Sequence, residues 1–164
     1  MDEAIQRFLR YLEVERDASG LTRKSYREDL LALQEYLQDS FQRAFRVGEV
    51  TTVDLRGYVA AVNEAGYAKS TIARRLASMR SFFRFAQREK LIDNNPAKPL
   101  RNPRPARHLP HFLSSKDLSS LLNTPSQEEP LGLRDRAILE TMYSAGLRVS
   151  EPVGINEGDL DREQ

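Results

Sequence analysis

A chain of 164 residues makes one ordinary domain or two small ones, long enough to bury a real core and too short for a large multidomain enzyme. With 40% hydrophobic and 30% charged residues, eight Gly, eight Pro and no Cys, the composition excludes disordered, collagen-like and disulfide-framed classes, and no apolar run approaches the roughly 20 residues of a membrane span. The formal net charge of +1 hides a segregation: residues 68–112 carry eleven Lys/Arg against Glu89 and Asp93, whereas the flanking segments are both net acidic.

The start, Met1-Asp2-Glu3-Ala4-Ile5, is acidic and enters helical periodicity at once, unlike the basic and apolar opening of a signal peptide, so a cytoplasmic location is expected. A first helix over about 2–17 sets Ile5, Phe8, Leu9 and Leu12 on one face and ends at the Ala18-Ser19-Gly20 turn. A second, from about Thr22 to Asp39, carries Tyr26, Leu30, Leu33 and Leu37 at buried-stripe spacing, with Arg23, Lys24 and Arg27 in its first turns. A third starts near Thr51-Thr52, buries Leu55, Tyr58, Val59 and Val62, and stops at Gly66.

Ser70 or Thr71 is the expected cap of a fourth helix running to about Lys90. At 100° per residue Ile72, Leu76, Met79, Phe83 and Ala86 share one quarter of its wheel, while Arg74, Arg80, Arg84 and Arg88 share an opposite arc that holds no acid. A solvated face usually mixes both signs; an all-Arg arc points to a polyanion, and nucleic-acid contact is expected of it.

Residues 96–112 read as an extended, Pro-rich basic linker, with Arg101, Arg104 and Arg107 lying along phosphate. His108 and His111, the chain's two histidines, share this Pro-broken stretch, so no metal site and no cofactor are expected. Ser114 or Ser115 then caps a short helix through Leu118, Leu121 and Leu122, and a polar loop holds Pro125 and Pro130. A last helix, 133–145, has Ile138, Leu139, Met142 and Tyr143 around a wide apolar arc, implying burial from more than one side, and ends at Gly146 with Arg148 just beyond. The expected organisation is an all-α chain with a helical domain over 1–95, the linker, and a fragment over 113–164 too small for an independent core.

Gly132-Leu133-Arg134-Asp135-Arg136-Ala137 and Tyr143-Ser144-Ala145-Gly146-Leu147-Arg148-Val149-Ser150-Glu151 closely resemble the start of the catalytic domain of tyrosine site-specific recombinases, the phage integrase family, above all its Xer group. Upstream, Phe8-Leu9-Arg10-Tyr11-Leu12, Ser25-Tyr26-Arg27-Glu28-Asp29-Leu30, Ser81-Phe82-Phe83-Arg84-Phe85 and Asn95-Pro96-Ala97 resemble that group's core-binding domain in the same order. The resemblance implies a four-helix SAM-like core-binding domain, a linker and a catalytic domain clamped around duplex DNA. Helices two and four would face the grooves, and other recombinase protomers would share the site. No membrane or small-molecule ligand is implied. Family chemistry is tyrosine attack on a phosphodiester, giving a 3′-phosphotyrosyl intermediate, in chromosome-dimer resolution or mobile-element integration.

By the same resemblance Arg148 is the first catalytic arginine, its guanidinium suited to the charge of a pentavalent phosphorane, and Glu151 is the accompanying acidic residue. Without it, Arg148 reads simply as a cation complementing a helix C-terminus. Arg23, Lys24, Arg27, Lys69, Arg74, Arg75, Arg80, Arg84, Arg88, Arg101, Arg104 and Arg107 are the expected DNA contacts. Pro152 stands where the family has an aliphatic residue; with Ser150 as cap it falls in a first helical turn, where its missing N–H costs little. The family's lysine, His-x-x-Arg segment and nucleophilic tyrosine have no counterpart here. Tyr11, Tyr26, Tyr36, Tyr58 and Tyr67 belong to the first domain and Tyr143 to an apolar helix, so the chain alone is expected to be inactive in strand cleavage. A non-catalytic DNA-binding regulator and a helical protein-interaction module are the alternatives.

Overall fold

Side-chain caps open three of the six α-helices in the computed structural model, which describes residues 1–102 and 112–159. All regular structure among the described residues is helical: α1 (Asp2–Val14), α2 (Gly20–Phe41), α3 (Thr52–Glu64), α4 (Lys69–Arg88), α5 (Ser115–Leu122) and α6 (Pro130–Ala145), with single 3-10 turns at Val47–Glu49, Pro152–Gly154 and Glu157–Asp159. Ser19 accepts from the Thr22 amide ahead of α2. Thr51 and Asp54 form a reciprocal capping box on α3, as do Ser114 and Asp117 on α5. Gly66 and Gly146, at φ of +77° and +64°, take the left-handed conformation that follows a helix end.

Three starts differ from expectation. α2 begins at Gly20 rather than near Thr22, because Ser19 of the expected turn is its cap. α4 begins after Ala68, which offers no side-chain cap, so Ser70 and Thr71 lie inside its first turn. α6 begins at Pro130 rather than at 133, because proline at the first helical position lacks only an N–H that would be unpaired there.

The chain divides into two compact units, Met1–Arg107 and His108–Gln164. In the first, α4 packs against α1, α2 and α3, which makes it the central helix. Its buried arc is therefore wider than one quarter of the wheel: Phe82, Phe85 and Ser78 join Ile72, Leu76, Met79, Phe83 and Ala86. Phe85 meets the rings of Phe8 and Tyr11 from α1 at centroid distances of 5.4 and 5.1 Å. Leu30, Leu33 and Leu37 of α2 and Leu55, Tyr58 and Val62 of α3 complete the core, and Phe45, Val47 and Val50 close it between α2 and α3.

The core extends past the expected domain edge at residue 95. Ile92, Ala97 and Leu100 are buried, and the Thr52 hydroxyl donates to the Pro96 carbonyl at 2.9 Å. Residues 96–102 are thus docked on the first unit, whereas residues 103–111 of the expected linker, with Arg104, Arg107, His108 and His111, lie outside the described residues.

In the second unit no described residue is fully buried. Ile138 and Tyr143 are exposed, and Leu139 and Met142 are half-buried, so the expected burial of α6 from several sides does not occur. Gly132 is required here by a close approach: a Cβ would collide with the backbone carbonyl of Ser126.

Candidate nucleic-acid interface

The expected cationic arc of α4 exists, but most of its guanidiniums already have protein partners. Arg74 donates to the Asp29 carboxylate at 2.6 Å. Arg88 pairs with Glu15 at 3.3 Å and Glu89 at 3.2 Å while lying 4.2 Å over the Tyr11 ring. Arg80 donates to the Asn102 side-chain oxygen at 2.8 Å and the Leu100 carbonyl at 2.5 Å. Arg84 is exposed and carries no ion pair among the described residues.

Arg75 departs furthest from a surface contact. Its side chain is only 16% exposed, its guanidinium lies 4.4 Å over the Tyr67 ring, and it donates to the Tyr58 hydroxyl at 3.1 Å. Burial pushes the Tyr58 phenol above its ordinary range, with the neighbouring Arg75 charge pulling the other way. Arg75 therefore serves the packing of α3 on α4, and its expected role as a DNA contact gives way to a structural one.

On α2, Lys24 and Arg27 are exposed and have no ion pair among the described residues, while Arg23 pairs with Glu13 of α1. A groove of about 780 Å³ runs between the two helices, lined by Arg7, Arg10, Glu13, Arg23, Lys24 and Arg27 among others. Arg7 and Arg10 of α1 thus face the same groove as Arg23, Lys24 and Arg27, with Arg7 also donating to Glu89 at 3.2 Å. Lys69 is exposed at the start of α4 and Arg101 is exposed in the docked segment.

In the second unit Arg148 follows the left-handed Gly146, with its side chain 85% exposed. Glu151 reaches back to it twice, accepting from the Arg148 amide at 2.6 Å and from its guanidinium at 3.4 Å. Pro152 heads the 3-10 turn Pro152–Gly154 with Glu151, not Ser150, as the cap, and its missing N–H interrupts nothing.

The described residues gather no group of three His, Asp or Glu suited to a metal ion, and none of their helices is long and apolar enough to cross a membrane. Tyr143, expected in a core helix, is exposed on α6.

Residues 5–90 match the phage integrase N-terminal SAM-like domain, and residues 111–164 match the phage integrase family. The tyrosine recombinase XerC of Pelotomaculum thermopropionicum is 41% identical over 160 residues, covering 96% of this chain and 52% of that protein. The tyrosine recombinase XerD of Proteus mirabilis is 37% identical, over 99% of this chain and 51% of that one. The chain thus spans about half the length of the curated relatives it matches. The solved Tn1549 transposon integrase, in complex with circular intermediate DNA, shares the fold at a TM-score of 0.68 and 20% identity, covering 98% of this chain and 51% of that one.

Proposed function

The chain belongs to the phage integrase family, and on that premise we propose that it grips duplex DNA in site-specific recombination of the Xer type. The observation that carries this reading is the set of exposed cations Lys24 and Arg27 on α2 and Lys69 and Arg84 on α4, each without an acidic partner among the described residues. An unpaired guanidinium or ammonium on a rigid helix is preset for phosphate, where the release of condensed counterions supplies the affinity. Arg101 and the linker arginines Arg104 and Arg107 extend the same contact. Location in the cytoplasm goes with this partner, and other recombinase protomers would share the DNA site.

For the recombination chemistry, Arg148 supplies one guanidinium for the charge that develops on the scissile phosphate. The Glu151 contacts fix its backbone and restrain its side chain, lowering the cost of ordering an otherwise exposed arm. Strand transfer needs more: an attacking tyrosine hydroxyl, a second guanidinium, and an acid to protonate the 5′-oxygen as it leaves. The two histidines of these 164 residues, His108 and His111, do not stand in a His-x-x-Arg segment. In this reading the stretch recognises and positions DNA, and Arg148 contributes to the reacting phosphate.

Titrating a labelled duplex with the 164-residue polypeptide tests the reading. Wild type should bind, and the Lys24→Glu, Arg27→Glu, Arg84→Glu variant should lose binding while keeping its helical circular dichroism. Unchanged affinity in that variant would remove the assignment.

A further inference from the structure

A carboxylate inside the helical core is the one charged group there that the DNA-binding reading leaves without a task. Asp29, on α2, is 2% exposed. One of its oxygens accepts from the Ser78 hydroxyl at 2.6 Å and from Arg74 at 2.6 Å; the other lies 3.9 Å from Nε of Arg75. Taking a carboxylate out of water is expensive, and apolar residues of similar size often stabilise such a position as well or better. Stability alone therefore gives a weak reason for an acid at residue 29.

The two arginines it touches differ in what they can still do. Arg75 is enclosed by Tyr58 and Tyr67, with nothing to offer a ligand. Arg74 is 47% exposed, and Nη1 is its only side-chain atom that donates to protein among the described residues. One edge of this guanidinium is tied down and the remaining donors are open. A planar fork held in this way is preorganised for a phosphate oxygen, since the rotamer entropy of a long side chain has already been lost.

We infer that Asp29 is a positioning residue for DNA recognition: from inside the core it holds Arg74 at the start of α4 as a preset phosphate contact. This rests on the reading that the α4 surface meets DNA. It makes a prediction opposite in sign to simple electrostatics. Removing a negative charge beside a polyanion should tighten binding through Coulomb attraction alone. Losing the anchor of Arg74 should weaken it.

The test is a set of duplex titrations at one salt concentration with the whole 164-residue chain. Asp29→Asn, close in shape but uncharged, should weaken binding by roughly tenfold, the size of a lost charge-assisted hydrogen bond. Glu28→Gln, an exposed neighbour on α2, should bind at least as tightly as wild type. Arg74→Gln should weaken binding similarly, and the Asp29→Asn, Arg74→Gln double variant should be no weaker than Arg74→Gln alone. An Asp29→Asn protein that binds as tightly as wild type, or losses that multiply in the double variant, would overturn the inference, as would an Arg74→Gln variant of undiminished affinity. If Asp29→Asn does not fold, Ser78→Ala decides. It keeps the charge and removes a second restraint on the same oxygen, and its loss of affinity should disappear in the Arg74→Gln background; a loss that persists there would overturn the inference. Absence of DNA binding by wild type would instead refute the proposed function itself.

Discussion

Arg80 and Asn102 are joined across 22 residues of sequence: the guanidinium on α4 donates to the Asn102 side-chain oxygen at 2.8 Å, and its second amino group reaches the Leu100 carbonyl. An arginine expected to face DNA thus holds the segment that leaves the first unit. Together with buried Ala97 and Leu100 and the Thr52 bond to Pro96, this clasp extends the first unit beyond residue 95.

Replacing Arg80 by Ala should release that segment without unfolding α4, because the side chain lies outside the buried arc of the helix. Amide exchange at Leu100, which donates to the Ala97 carbonyl at 3.2 Å, should accelerate, while amides around Leu76 keep their protection. Hydrogen-exchange mass spectrometry reads both regions in one experiment. Unaltered exchange over 96–102 would show that apolar burial alone docks the segment.

The two units should differ sharply in stability. Phe83 is fully buried in the first unit, and its replacement by Ala should cost about 3–5 kcal/mol. Ile138 is 42% exposed, so truncating it to Ala should cost less than roughly 1.5 kcal/mol. Slow amides are expected around Leu30, Leu76 and Phe83 and fast ones through 112–159, where no described residue is fully buried. Denaturant melts of the two variants and a native-state exchange profile check this; comparable protection in both units would contradict it.

These outcomes also mark what the amino-acid order reveals. Helix ends were legible at Thr51, Gly66, Ser114 and Gly146, because a cap involves only residues three or four apart, although the Ser19 cap of α2 was read as part of a turn. The apolar stripes of α1 to α3 were legible for the same reason. The second buried side of α4 was not, since Phe82 and Phe85 are covered by helices distant in sequence and a helical wheel knows nothing of its neighbours. The partners of the arginines escaped likewise: Asp29, Glu15 and Asn102 lie 45, 73 and 22 residues from the guanidiniums they hold. Charge segregation marks the basic belt but cannot separate its open cations from those held by protein partners.

The burial of Tyr58 gives an alkaline signature. Burial raises the Tyr58 phenol above its ordinary value, so the folded chain holds that proton more tightly than the unfolded one. The associated stability is complete below the unfolded tyrosine value of about 10 and is lost as pH rises through the higher folded value. Urea midpoints measured from pH 8 to 11 should fall more steeply for wild type than for Tyr58→Phe. Parallel curves would show that Tyr58 titrates alike in both states.

Cleavage chemistry gives a separate prediction. A nicked suicide duplex, from which the released strand diffuses away, traps even rare phosphotyrosyl products. Incubated with the 164-residue polypeptide it should yield no denaturant-resistant protein–DNA band, because groups that act as a unit leave little activity when most are missing. Tyr143 is the tyrosine to watch, being exposed on α6. A band that disappears in Tyr143→Phe would make it the nucleophile.

The salt dependence of duplex binding tests the central claim most directly, because it counts phosphates rather than merely detecting affinity. Lys24, Arg27, Lys69 and Arg84 acting as phosphate contacts should contribute about −3 to −4 to the slope of log affinity against log salt, and Arg84→Gln should flatten it by about 0.9. A slope near zero for wild type, or one untouched by the loss of Arg84, would contradict the account.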